Sequence, residues 1–328
     1  MERKLTMQKR LFEEIRKRFA TVKLATEVSE LLGIEENAAY RRISGKTVLS
    51  LDEATKLCSR FNLSMDFLAE NVHDNLTFRY NPIEILNLDS YRTYIRQFTD
   101  TVSSLTQHSD GEIYYTAEDV PLFHFLRHRE LMFFKIFVWF DAVSGMKIPF
   151  ERFVDEIERK ESLFEDFDRL ADCYADTSSC EIWTGDTITH IFRLLEYFCD
   201  MGAFEKQETV RLLFSQMNDM MEKIREWTET GRKDGKGNFQ LYISATNLEN
   251  NYILLKNSAH TAVGIRLYTV KSILTENPAF CRETEKWIEN MMKKSTLLSG
   301  ASERERSQFF QRMKTAMDVC RERLTGKL

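Results

Sequence analysis

Proline and glycine are scarce in this chain, 4 and 12 among 328 residues. Both interrupt helices, and glycine supplies the positive φ of many tight β turns, so their scarcity favours long helices over a loop-rich β protein. No apolar run has membrane-spanning length. The most apolar stretch, LMFFKIFVWF at 131–140, is half the roughly 20 residues a span needs and contains Lys135, so it predicts a buried helix. The opening MERKLTMQKRLFEEIRKRF lacks the apolar centre of a signal peptide, and a cytoplasmic protein with no membrane role is expected. The six cysteines, at 58, 173, 180, 199, 281 and 320, form no CxxC pair. Neither a zinc ribbon nor a disulfide framework is indicated, and the pattern suits buried thiols in a reducing compartment. The phosphate-loop pattern GxxxxGK[ST], the dinucleotide pattern GxGxxG and the hydrolase pattern GxSxG are all missing. No catalytic residue, metal site or cofactor is expected.

Excess positive charge is missing as well. The net charge is −5. Residues 1–72 hold 13 Lys and Arg against 11 Asp and Glu, a net of +2, which leaves −7 for the remainder. A nucleic-acid-binding surface in the first segment would therefore depend on gathering its positive charges on one face.

Within the first seventy or so residues the apolar spacing predicts five short helices. Leu11, Phe12, Ile15 and Phe19 lie on one face of the first, and Leu24, Val28, Leu31 and Leu32 on one face of the second. Gly33 closes the second helix where a C-cap needs positive φ, and Ile34 follows as an apolar plug. A third helix runs from about Glu35 to Ile43 and stops at Ser44-Gly45-Lys46. Ser50, with Glu53 three residues on, predicts a reciprocal cap for a fourth helix. Ser64 opens a fifth, MDFLAE.

The stretch VSELLGIEENAAYRRISGKTVLSLDEATKLCSRFNLSMDFL resembles the phage-repressor-type (XRE-like) helix-turn-helix, in particular the BetR-like variant found in Bacteroidetes regulators. The resemblance rests on the small Ser29 four residues before Gly33, on Ile34, on Gly45 twelve residues after Gly33, and on the closing FNLSMDFL. It covers about residues 5–70, a fifth of the chain. It implies double-stranded DNA as a partner, with the third helix laid in the major groove. Ala39 and Ile43 would face the core. Glu36, Asn37, Tyr40 and Arg41 would then be offered to base edges, Asn37 suiting adenine and Arg41 guanine. Arg42, Ser44 and Lys46 suit phosphate contacts, which set register.

After a connector near 71–82, Leu88, Tyr91, Ile95, Phe98, Val102 and Leu105 recur at three- and four-residue spacing. Two readings of that stripe stand: one face of a helix packed in its own domain, or a dimerising helix suited to palindromic operators. Helices are expected near 119–127, 130–144, 150–158, 162–175, 186–201 and 206–230, without an internal repeat. GRKDGKGN at 231–238 breaks the pattern. FQLYISA, NYILLKN and TAVGIRLYTV then read as a small antiparallel sheet, followed by helices near 278–294 and 303–324. The segment STLLSGASERERSQFF also resembles stretches of the same Bacteroidetes regulators.

Little else points to chemistry. His124 and His128 would share one face of a helix, but no third metal ligand is signposted. Glu165, Asp166 and Asp168 read as a solvated acidic face. The Met- and Phe-rich helices read as core.

The fold expected is mainly α: a five-helix helix-turn-helix domain at 1–72, a connector and dimerisation helix at 73–110, a helical region at 111–230, and a small antiparallel sheet with two helices at 231–328. The function expected is a homodimeric, sequence-specific transcriptional regulator, not an enzyme, whose C-terminal region dimerises or senses an unidentified small-molecule, peptide or protein signal. The alternative is a helical protein–protein interaction scaffold whose first domain does not read DNA.

Overall fold

The computed structural model of the protein describes residues 6–18, 23–61, 63, 65, 76–84, 87–106, 110–145, 147–157, 160–267 and 271–325. Contacts divide the chain into two units, Met1–Thr77 and Phe78–Leu328.

The first unit contains α1 (Met7–Arg18), α2 (Leu24–Leu32), α3 (Glu36–Ile43) and α4 (Leu51–Arg60). Each contributes an apolar stripe to one core, with Leu11, Phe12 and Ile15 from α1, Val28 from α2, Ala39 and Ile43 from α3, and Leu57 and Cys58 from α4. Gly33 ends α2 in the left-handed region at φ 65°, and its N–H and that of Ile34 turn back onto the carbonyls of Glu30 and Ser29. The cap expected at Ser50 is present. Its hydroxyl accepts from Glu53 N at 3.1 Å, and the Glu53 carboxylate accepts from Ser50 N at 2.9 Å. Beyond Met65 the expected fifth helix lies outside the described residues, as does Phe19.

The second unit is built on an eight-stranded mixed sheet, ordered β1-β7-β6-β5-β2-β3-β4-β8. Its strands are β1 (Arg79–Tyr80), β2 (Glu112–Ala117), β3 (Ser178–Thr184), β4 (Phe239–Ser244), β5 (Tyr252–Lys256), β6 (Thr261–Arg266), β7 (Ser272–Thr275) and β8 (Thr296–Leu297). Its helices are α5 (Leu88–Thr106), α6 (Arg129–Ser144), α7 (Phe150–Glu156), α8 (Lys160–Asp176), α9 (Thr189–Asp200), α10 (Gln207–Thr230), α11 (Pro278–Lys294) and α12 (Glu303–Thr325).

Strands β2, β3 and β4 run parallel, and every other pairing is antiparallel. The connections dictate this. Helices α6 to α8 carry the chain between β2 and β3, and α9 and α10 between β3 and β4, whereas short turns join β5, β6 and β7. Alternate residues of each strand face two separate cores. Ile113, Tyr115, Trp183, Phe239, Leu241, Ile253 and Leu255 enter the larger one with α5, α6, α8, α9, α10 and α12. Ile182, Leu254 and Val263 enter a smaller one with Cys281 and Ile288 of α11. A sheet covered on both faces carries apolar residues at successive positions, which blurs the two-residue period.

The protein is mostly helical, as expected, but the sheet is neither small, nor purely antiparallel, nor confined to 231–328. Strands β4, β5 and β6 fall within the three expected β runs; β2 and β3 were unforeseen. The sheet also joins the blocks expected at 73–110, 111–230 and 231–328 into one unit. The helix expected at 119–127 is replaced by a single 3-10 turn at Leu122–His124, because Pro121 holds an extended ψ of 141°. The run at 131–140 is a helix buried all round, Lys135 included. No helix among the described residues is long and apolar enough to cross a membrane.

The 88–105 stripe belongs to α5, and its fate corrects the dimerisation expectation. Tyr91, Ile95, Val102 and Leu105 are buried in the chain's own large core, and Phe98 packs against it. A face already covered from within offers nothing to a second copy. The side chain of Leu88 lies outside the described residues.

Candidate nucleic-acid interface

Helix α3 presents two different faces. Ala39 and Ile43 are buried, fixing its rotation against the first unit's core, and Glu36, Asn37, Tyr40 and Arg41 are exposed. Tyr40 is 58% exposed, an unusual position for a large aromatic ring. The side chains of Asn37, Tyr40 and Arg41 have no hydrogen bond or ion pair among the described residues. Glu36 differs: it accepts a hydrogen bond from Thr26 Oγ1 at 3.0 Å, which ties the start of α3 to α2.

The three residues assigned to phosphate by sequence separate in the structure. Lys46 is exposed and unpaired among the described residues. Ser44 is exposed, and its hydroxyl donates to the Arg41 carbonyl at 3.1 Å. Arg42 is committed within the fold. Its Nε and Nη2 reach Glu53 Oε1 at 3.1 and 2.7 Å, joining α3 to the cap of α4. Hydrogen bonding by Arg42 is also the main reason the Glu53 carboxyl is held below its ordinary range. Arg42 is therefore a positioning residue for α3.

Sequence reading missed Gln8. This side chain of α1 donates to the carbonyls of Arg42 at 2.7 Å and Thr47 at 2.8 Å, and its Oε1 accepts from Leu49 N at 3.1 Å. Three bonds from one amide fix the turn that displays Lys46. Gly45 sits in that turn at φ 76°, and a Cβ there would meet Lys9 Cε at 3.5 Å, so the Lys9 stem passes over it. Arg41, Lys46 and Lys9 thus supply positive charge around the end of α3. Val48 and Leu51, 81% and 73% exposed, continue the same stretch.

In the second unit His124 and Asp166 are drawn into the fold. His124 points inward, with Nε2 3.0 Å from both oxygens of the buried Glu181 carboxylate. Trp183 Nε1 donates to the same carboxylate at 2.7 Å, and the Tyr174 hydroxyl also donates to it. Burial pushes the Glu181 carboxyl up, but His124, the Tyr174 bond and Lys233 together hold it below its ordinary range. His128 lies at the N-cap of α6, not beside His124 on a helix, and no group of three metal-ligand side chains occurs among the described residues. The acidic run splits: Glu165 and Asp168 are exposed, but Asp166 is 2% exposed and accepts from Arg92 Nε at 3.1 Å and Arg96 Nε at 2.9 Å. That carboxylate pins α8 to α5. A charged residue with partners seventy positions away carries no local mark of burial.

No family model matches this chain, and neither a curated protein nor a solved structure matches it.

Proposed function

We propose that the protein is a sequence-specific DNA-binding transcriptional regulator, with α3 as the element that enters the major groove. One observation carries the reading. A short helix, fixed from behind by Ala39 and Ile43 and at its end by Gln8 and Arg42, displays Asn37, Tyr40 and Arg41, whose side chains have no partner among the described residues. Arg41 and Asn37 have the bidentate donor and acceptor geometry that reads guanine and adenine edges. Lys46, Ser44 and Lys9 are suited to phosphates on either side. The second unit would carry the regulatory role, and any second copy needed for a palindromic site would have to use a surface other than the buried α5 stripe.

A protein-interaction role for the same face is the second reading, favoured by the exposed Tyr40, Val48 and Leu51. Selection of bound sequences from random duplex DNA separates the two. The wild type is expected to enrich one motif, and Arg41→Ala to lose discrimination at one base position by about 1–3 kcal/mol. Folded wild type that enriches no motif at low salt would leave the interaction reading standing instead.

A further inference from the structure

The second unit has a partly open pocket of about 40 Å³ bounded by α5, the turn at Leu122–His124, Lys135 of α6 and strands β2, β5, β6 and β7. One water needs roughly 10–15 Å³ measured this way, so the space suits a molecule of a few heavy atoms. Phe98, Phe123 and Ile253 make its apolar walls. Lys135, Arg266 and Lys271 bring three positive charges to its lining.

Those charges are not balanced. Lys135 and Arg266 share one carboxylate: Lys135 Nζ and, at 3.3 Å, Arg266 Nη1 both reach Asp119 Oδ2, while Oδ1 has no hydrogen-bond partner among the described residues. Lys135 is 1% exposed and Lys271 7%. Lys271 has no ion pair among the described residues. Its Nζ lies 3.2 Å from the Tyr80 hydroxyl and near the rings of Tyr80 and Trp139, at 5.3 and 5.4 Å. Three cations against one carboxylate leave an excess of positive charge beside the pocket, and Lys271 is its buried member with no ion pair among the described residues, an arrangement that an anion in the pocket would relieve. The Ser272 and Tyr94 hydroxyls, 3.1 Å apart, belong to residues of the same lining.

We propose that this cavity binds a small organic carboxylate. Its acid group would lie toward Lys135, Arg266 and Lys271, and a short hydrocarbon tail would lie against Phe98, Phe123 and Ile253. An inorganic oxyanion fits less well, because oxygens facing the aromatic walls would find no donors. This assignment concerns the second unit alone and does not depend on the reading of α3.

The test is calorimetric titration and thermal unfolding of the full chain with sodium acetate, propionate and butyrate, against sodium chloride and inorganic phosphate at matched ionic strength. At least one carboxylate is expected to bind saturably, one per chain, and to raise the unfolding temperature above the chloride control. Lys271→Met is expected to weaken that binding about tenfold or more. Should that variant fail to fold, Ser272→Val narrows the cavity without changing a charge and should likewise weaken binding. Folded wild type that responds to no carboxylate beyond chloride overturns the proposal. So does preferential binding of phosphate, or a folded Lys271→Met or Ser272→Val variant that binds like the wild type.

Discussion

The Tyr174 hydroxyl offers the sharpest test of the packing. It is completely buried, donates to the Glu181 carboxylate and lies 3.0 Å from Ser179 Oγ. Its ring stacks on Phe123 at 4.2 Å and 5°, so a phenyl ring can occupy the same space. Tyr174→Phe therefore deletes the donor to Glu181 and the acceptor beside Ser179 while keeping the packing. A buried hydrogen bond to a charged group is worth about 1.5–3 kcal/mol, and the carboxylate keeps His124 and Trp183, so a loss of about 2 kcal/mol is expected. All four tryptophans, at 139, 183, 227 and 287, lie in the second unit, so their fluorescence follows that unit during urea unfolding. With a urea slope of about 3 kcal/mol/M, the midpoint should fall by about 0.7 M at unchanged slope. Glu181→Ala should cost more, since it strands three buried donors at once. A midpoint shift below about 0.2 M for Tyr174→Phe would refute the assignment of this hydrogen bond as a buried, charge-assisted one.

Two further outcomes follow from other sites. A Cβ on Gly237 would lie 2.3 Å from Thr177 O and 2.8 Å from Ala175 O, backbone atoms that have no room to give, so Gly237→Ala should cost about 1–3 kcal/mol or more by urea unfolding; Gly185→Ala, with nothing within 4 Å, serves as the near-neutral control. Acid should weaken the second unit. Burial raises Asp119 and Glu181, but Lys135 and Arg266 in one case and His124, Tyr174 and Lys233 in the other outweigh it, leaving both folded carboxyls below their ordinary values of 3.8 and 4.5. Their contribution is complete above those values and lost as pH falls through the lower folded ones, so tryptophan-monitored stability should decline from about pH 4.5 downward, and a flat profile to pH 3 would contradict the assignment.

What the sequence discloses follows the range of the interactions involved. Helix α3 is legible because Ala39, Ile43 and the Gly33 turn are local signals. Strands β4 to β6 are legible because turn residues separate three apolar runs. Strand β3, SSCEIWT, is not, since Ser179 and Glu181 read as surface residues until Tyr174, His124 and Trp183 close around them. Asp166 misleads for the same reason. Arg42 and Lys46 look interchangeable in the sequence, and only Glu53 and Gln8, ten or more positions away, distinguish the committed side chain from the unpaired one. The loop at 231–238 reads only as a break in the helical pattern, yet Lys233 Nζ donates to the carbonyls of Tyr174 and Thr177 at 2.8 and 2.7 Å, closing the end of α8.

The strand order also has a consequence for the protein's birth on the ribosome. Strand β2 is made early, but its neighbours β3 and β5 begin only at residues 178 and 252. The described core of the first unit draws on residues 11–65 alone and can close as soon as these leave the exit tunnel. Domains generally fold in the order they emerge, and pairings across a long stretch of chain are slow. A nascent chain thus carries a finished first unit for much of its synthesis, with the β2 edges and the aromatic faces of α5 and α6 still waiting for cover. That interval is where a chaperone would be needed, and where a destabilised β5 would first show itself as aggregation.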